Sequence, residues 1–145
     1  MRVRSLHDRR GYVMAYWSVL IPLVAMPLML LAVELTRMLY VEVHLQAAVD
    51  AACEAAVQAV NTAYFIQTGE LRIIQSAATT NALREFNGTV IRHGIQMYDP
   101  ALTSLTFPSY TSASCIATAQ IEWYFPGLPA SELQAEAFSA VQARQ

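Results

Sequence analysis

The sequence contains no lysine. Its basic charge rests on nine arginines, and Arg2, Arg4, Arg9 and Arg10 crowd into the first ten residues. From Glu34 onward five arginines face ten acidic residues. A mildly acidic body of this kind has no basic stripe able to displace counterions from phosphates, so nucleic acid is not an expected partner. Glycine is scarce too, and the five glycines never fall in G-x-G spacing, which leaves no loop to cradle a phosphate. His7, His44 and His93 stand in separate regions without HxxxH, CxxC or clustered carboxylates, a pattern that argues against a metal. A nucleophilic pair of Cys53 with His44 would have to reach along nine residues of helix, about 13 Å, beyond hydrogen-bond range. These absences point away from an enzyme, a cofactor or a small-molecule substrate.

What is abundant is apolar surface. Hydrophobic residues make up 55% of the chain and charged residues 14%, and one segment holds much of the excess. Tyr12 to Val33 is 22 residues without a formal charge. As an α-helix it would measure about 33 Å, close to the ~30 Å hydrocarbon core of a bilayer. The arginines before it predict an N-terminus in the cytoplasm. Tyr12, Tyr16 and Trp17 gather at the same end, where amphipathic rings favour the headgroup layer. The expectation is one membrane span, residues 12–33, between a cytoplasmic basic tip (1–11) and an extracytoplasmic domain (34–145). The run is longer than the apolar core of a secretory signal. Pro22 and Pro27 each remove a backbone hydrogen bond and predict a kink or softened turn.

The helix is expected to continue over 34–60, where neither Gly nor Pro occurs. Leu35, Met38, Val41, Leu45, Val49, Ala52, Ala56 and Val60 recur at helical spacing as one apolar stripe. Glu34 and Arg37 can pair at i, i+3. The alanine-rich face from Ala47 to Ala59 would let another element approach closely, within the chain or from a second subunit. A second helix is predicted over 71–86, closed by a turn at Asn87-Gly88. Asn87-Gly88-Thr89 also fits a glycosylation sequon, the weaker reading.

The period then changes. In "CIATAQIEWYF" Cys115, Ala117, Ala119, Ile121, Trp123 and Phe125 alternate with more polar residues, the mark of a half-buried strand. "LTSLTFPSY" is its expected hairpin partner, with Pro108 confining it to a strand end or an edge. "FPGLP" reads as a turn. The tail from Ser131 is compatible with a helix capped by Ser131 and Gln134, or with a strand facing inward through Leu133, Ala135, Ala137, Ser139 and Val141. The fold class is α+β, with strands confined to 102–145.

The stretch "RRGYVMAYWSVLIPLVAMPLMLLAVELTRMLYVEVHLQAAVDAACEAAVQA" resembles the N-terminal module of TadE/TadG-like proteins, pseudopilin-like components of the tight-adherence (Flp) pilus system. Arg-Arg-Gly precedes the span, Pro22 lies inside it, and Glu34, Arg37, Leu45, Gln46 and Asp50 stand where the family carries its acidic residue, arginine, Leu-Gln pair and aspartate. The resemblance implies a membrane-anchored structural or assembly component of a Tad-type pilus or secretion apparatus, with membrane lipid and other protein subunits as partners. An accessory single-span subunit of a larger membrane complex is the alternative. The end of the chain resembles the family's strands around a Pro-Gly-Leu turn, which favours a third strand for the tail.

By the same resemblance, Gly11–Tyr12 is the bond that a prepilin-type peptidase would cut. Such substrates carry a glutamate at the fifth residue after the glycine, and here that residue is Tyr16. No carboxylate within the span could meet a neighbour's N-terminal amine. The expectation is therefore an uncut anchor, bounded by Arg9 and Arg10 on the cytoplasmic side and by Glu34 and Arg37 outside. With the domain outside the cytoplasm, Cys53 and Cys115 could form a disulfide. A loop of that size would contribute about 4 kcal/mol on the chain-entropy model. Two small buried thiols would fit the pattern as well.

Overall fold

The computed structural model describes residues 7–124 and 129–141, with side chains from residue 12 onward. It divides into two compact units, Met1–Arg37 and Met38–Gln145. Helix α1 (His7–Val57) contributes to both. The remaining elements are α2 (Thr62–Thr68), α3 (Gln75–His93), a 3-10 turn (Gln96–Tyr98) and strands β1 (Ala101–Ser109), β2 (Ser112–Ile121) and β3 (Ser131–Ala140). The molecule is α+β, with a long apolar N-terminal helix and a three-stranded antiparallel sheet.

In the first unit α1 is helical through Pro22 and Pro27 without interruption. Its apolar side chains face outward all round, from Tyr12 (78% exposed) to Leu23 (71%) and Met29 (70%). Ser18 donates its hydroxyl to the Ala15 carbonyl at 2.8 Å, which leaves no unmet donor on that side chain for hydrocarbon to exclude. Leu35 is also exposed, although the stripe predicted from the sequence included it.

The second unit is built on close approach. On α1 Val41, Leu45, Ala48, Val49, Ala52 and Ala56 are completely buried, together with Cys53. Facing them, Ala113, Cys115, Ala117, Ala119 and Ile121 of β2 are buried as well. Side chains from both surfaces, many of them small, share one buried core. Ala48, Ala52, Ala56 and Ala59 are therefore spent inside the chain's own core, and of the alanine face Ala47, Ala51 and Ala55 stay partly exposed. Phe86 of α3, Leu45 and Ile95 supply the bulk.

The sheet order is β1-β2-β3, antiparallel throughout. Pro108 sits near the end of edge strand β1, where the register slips between Thr106 and Ser109, so its missing N–H interrupts no central ladder. The tail is a strand: Ala135 is buried, Leu133, Ala137 and Ser139 are half-buried, and the residues between them are exposed. β2 ends at Ile121, earlier than the alternation suggests. Phe125 and the Pro126-Gly127-Leu128 turn lie outside the described residues.

Three helix boundaries differ from the sequence reading. α1 stops at Val57, short of the expected residue 60, and α2 follows it. There Asn61 accepts a hydrogen bond from the Tyr64 N–H at 2.9 Å, and Gly69 closes the helix at φ 74°. α3 begins at Gln75 and runs through Asn87-Gly88 to His93, so neither a cap nor a turn forms there. Phe86, Thr89 and Val90 continue the buried stripe of Ala78 and Ala82, and that burial outweighs the cost of one interior glycine, about 1 kcal/mol. The glycine at the true end is Gly94, at φ 66°.

Candidate functional site

The most distinctive surface is that of α1 between Tyr12 and Val33. Among the described residues, α1 is the one helix long and apolar enough to cross a membrane. Only 6% of its apolar window is buried, which separates it from the core helix of a soluble protein. Just beyond it, Glu34 Oε2 lies 3.4 Å from Arg37 Nη2, with Glu34 almost wholly buried and Arg37 largely so. Arg9, Arg10 and Gly11 lie in the first turns of α1, their side chains outside the described set.

Higher on α1, within the second unit, two polar clusters fasten the helix to its neighbours. Tyr40 donates its hydroxyl to the His93 carbonyl at 2.9 Å. Its ring meets that of His44 edge-on at 4.3 Å, and His44 stacks on His93. The two histidines that look remote in sequence are thus in contact, because α3 extends to His93. Two residues beyond His44, Gln46 Nε2 donates to Asp50 Oδ1 at 3.0 Å and to the Glu136 carbonyl at 2.9 Å. Gln46 thereby ties α1 to β3.

Cys53 and Cys115 meet where α1 crosses β2. Cys53 Sγ lies 3.3 Å from the Ala113 carbonyl oxygen and 3.5 Å from that of Ala137. Burial, and then the adjacent Cys53, push the Cys115 thiol far above its ordinary range. Both residues are thiols in the structure.

A further cluster has no counterpart in the sequence reading. The Arg72 guanidinium stands 4.6 Å from the Tyr110 ring centroid and 5.8 Å from that of Tyr64. It is placed by Ile73, whose N–H donates to the Tyr110 carbonyl at 2.9 Å, and by Asn61, whose N–H donates to the Arg72 carbonyl at 2.8 Å. These contacts join residues distant in sequence, and Arg72 and Ile73 lie ahead of α3 although the sequence predicts a helix over them. Among the described residues, no three His, Cys, Asp or Glu side chains gather as a metal site would require.

Comparison with curated proteins and with solved structures gives no significant match. The family model does match, over about a third of the chain. The matched stretch takes in the exposed apolar surface, the Glu34–Arg37 pair and the α1 positions Gln46, Asp50 and Cys53. Residues 11–59 match the model of the Flp pilus-assembly TadE/G-like family.

Proposed function

We propose that this chain is a membrane-anchored structural component of a Tad (Flp) type pilus or secretion apparatus, a TadE/TadG-like pseudopilin that stays anchored. The observation that carries this reading is that the family match, 11–59, takes in an apolar helical stretch, Tyr12–Val33, exposed on every side. Tyr12–Val33 would lie in lipid. Arg2, Arg4, Arg9 and Arg10 would hold the N-terminus in the cytoplasm, and the domain from Glu34 onward would stand outside. Glu34 and Arg37 would mark the outer boundary, where a paired acid and base tolerate the interface better than either alone.

The role is one of assembly through protein contacts, without catalysis. Within the membrane, packing of the Tyr12–Val33 helix against other spans would recruit subunits. Outside it, Ala47, Ala51 and Ala55 and the Arg72–Tyr110 patch are available to them; Arg and Tyr are enriched among residues that dominate interfaces. Tyr16, at the position of the glutamate in pilin-like substrates, supports a chain left uncut at Gly11–Tyr12.

Deleting the gene in its host and scoring surface pili by electron microscopy tests this. Loss of pili, restored by the full chain, is expected; normal piliation would overturn the proposal. The match stops at Ala59, which favours a second reading in which a TadE/G-like anchor serves an accessory subunit of another membrane complex. Stoichiometric co-purification without any pilus component would select it.

A further inference from the structure

We propose that Cys53 and Cys115 are the two halves of an intrachain disulfide that fastens α1 to the central strand of the sheet. The Cys53 thiol reaches the carbonyl oxygens of Ala113 and Ala137. Ala113 precedes Cys115 by two residues on the same buried face of β2, and Ala137 is the partner of Cys115 across the β2–β3 ladder. Those positions surround one spot on the inner surface of the sheet, and the side chain that rises from the middle of it is Cys115. Both thiols are buried in the same core. The packing thus brings the Cys53 sulfur to the part of the sheet from which Cys115 rises, and closure needs an approach of sulfur to sulfur.

The site has an entrance. Cys53 is 1% exposed, yet it lines a groove of about 590 Å³ between α1 and β3, with Asp50, Glu54 and Phe138 among the other walls. Cys115 does not line it. This asymmetry dictates an order. The Cys53 thiolate attacks the disulfide of an external oxidant, a thiol–disulfide oxidoreductase or oxidised glutathione. A mixed disulfide forms, and one sulfur of the reagent leaves as thiolate. Cys115 then loses its proton and attacks Cys53 Sγ, which closes the internal bridge and expels the second sulfur of the reagent. Two thiols give up two electrons and two protons, and the reagent is reduced to two thiols.

The environment favours a lasting bridge over a catalytic one. Strongly oxidising couples owe their potential to a stabilised thiolate in the reduced form. Here burial and the neighbouring sulfur push the Cys115 thiol the other way, so the reduced pair gains no such stabilisation. In the cell, occupancy of the bridge rests on the proposed placement of this domain outside the cytoplasm; the competence of the pair to close does not.

The test uses the full chain extracted from membranes in detergent. It is equilibrated in a glutathione redox buffer, quenched in acid, unfolded and tagged with a maleimide-linked polymer. The expected result is no tag without reductant and two tags after reduction, with an intact mass lower by two hydrogens in the oxidised form. Two tags without reductant, or glutathione held on the cysteines with no closure, would overturn the bridge. In Cys115→Ala, glutathione should be trapped at Cys53; failure to trap it would overturn the order of attack. A reporter enzyme active only outside the cytoplasm, fused after the domain, separates the two claims. Bridge closure with an inactive reporter would refute the orientation alone, and two free thiols with an active reporter would refute the bridge alone.

Discussion

The imidazoles of His44 and His93 stack with ring centroids 4.2 Å apart and planes inclined by 20°. This stack, with the Tyr40 hydroxyl on the His93 carbonyl, ties the end of α3 to α1. His44→Ala should destabilise the domain by about 1 kcal/mol, the worth of an aromatic pair beyond its area. His44→Phe keeps a stacking ring and should recover most of that loss. Thermal unfolding of the detergent-solubilised protein measures both.

Gly88 and Gly94 should respond to alanine in opposite directions. Gly88 lies inside α3 with open space where a Cβ would stand, so Gly88→Ala should stabilise by about 0.5–1 kcal/mol. Gly94 sits at φ 66°, where a side chain is strained whatever the space, and Gly94→Ala should cost about 1 kcal/mol. Denaturant midpoints for the two variants check this, and equal effects would mean that α3 ends elsewhere.

Stability of the reduced protein should fall at alkaline pH. The Cys115 thiol ordinarily ionises near 9 and is held well above that in the fold. A group whose folded value is raised contributes fully below its unfolded value and loses that contribution as pH rises towards the folded one. From about pH 9 upward the loss attributable to Cys115 should reach at most about 1.4 kcal/mol per pH unit. It should be absent in Cys115→Ala and in the oxidised chain. Melting curves between pH 8 and about 10.5 compare the three forms.

A charge in the middle of the apolar run should weaken membrane retention. Leu23 is 71% exposed on α1, and an arginine at the centre of a span costs about 2.5–3.5 kcal/mol. Leu23→Arg should increase the fraction released by alkaline carbonate, whereas Leu23→Val should not. Identical release from both would mean that this surface does not face lipid.

Much of this architecture was readable from residue pattern. Cys115, Ala117, Ala119 and Ile121 announce a half-buried strand by strict alternation, and all four are buried. Val41, Leu45, Val49, Ala52 and Ala56 announce the buried side of α1 by helical spacing. Local reasoning failed where a distant surface decided the outcome. Asn87-Gly88 has the chemistry of a helix end, but the core contacts of Phe86 and Val90 carry α3 past it. The tail from Ser131 suits a helix or a strand in isolation; pairing with β2 along its whole length selects the strand. The His44–His93 stack and the Arg72–Tyr110 contact join elements far apart in sequence, and no spacing rule could have brought them together.

The central claim is an uncut anchor, and the intact mass of the native protein extracted from membranes tests it most directly. A mass of 16.0 kDa is predicted, meaning that residues 1–11 stay attached and the span is a permanent tether. A species lighter by ~1.4 kDa would mean cleavage after Gly11. Tyr16 would then stand as a tolerated substitute for the usual glutamate, and a processed, filament-forming subunit would replace the anchored one.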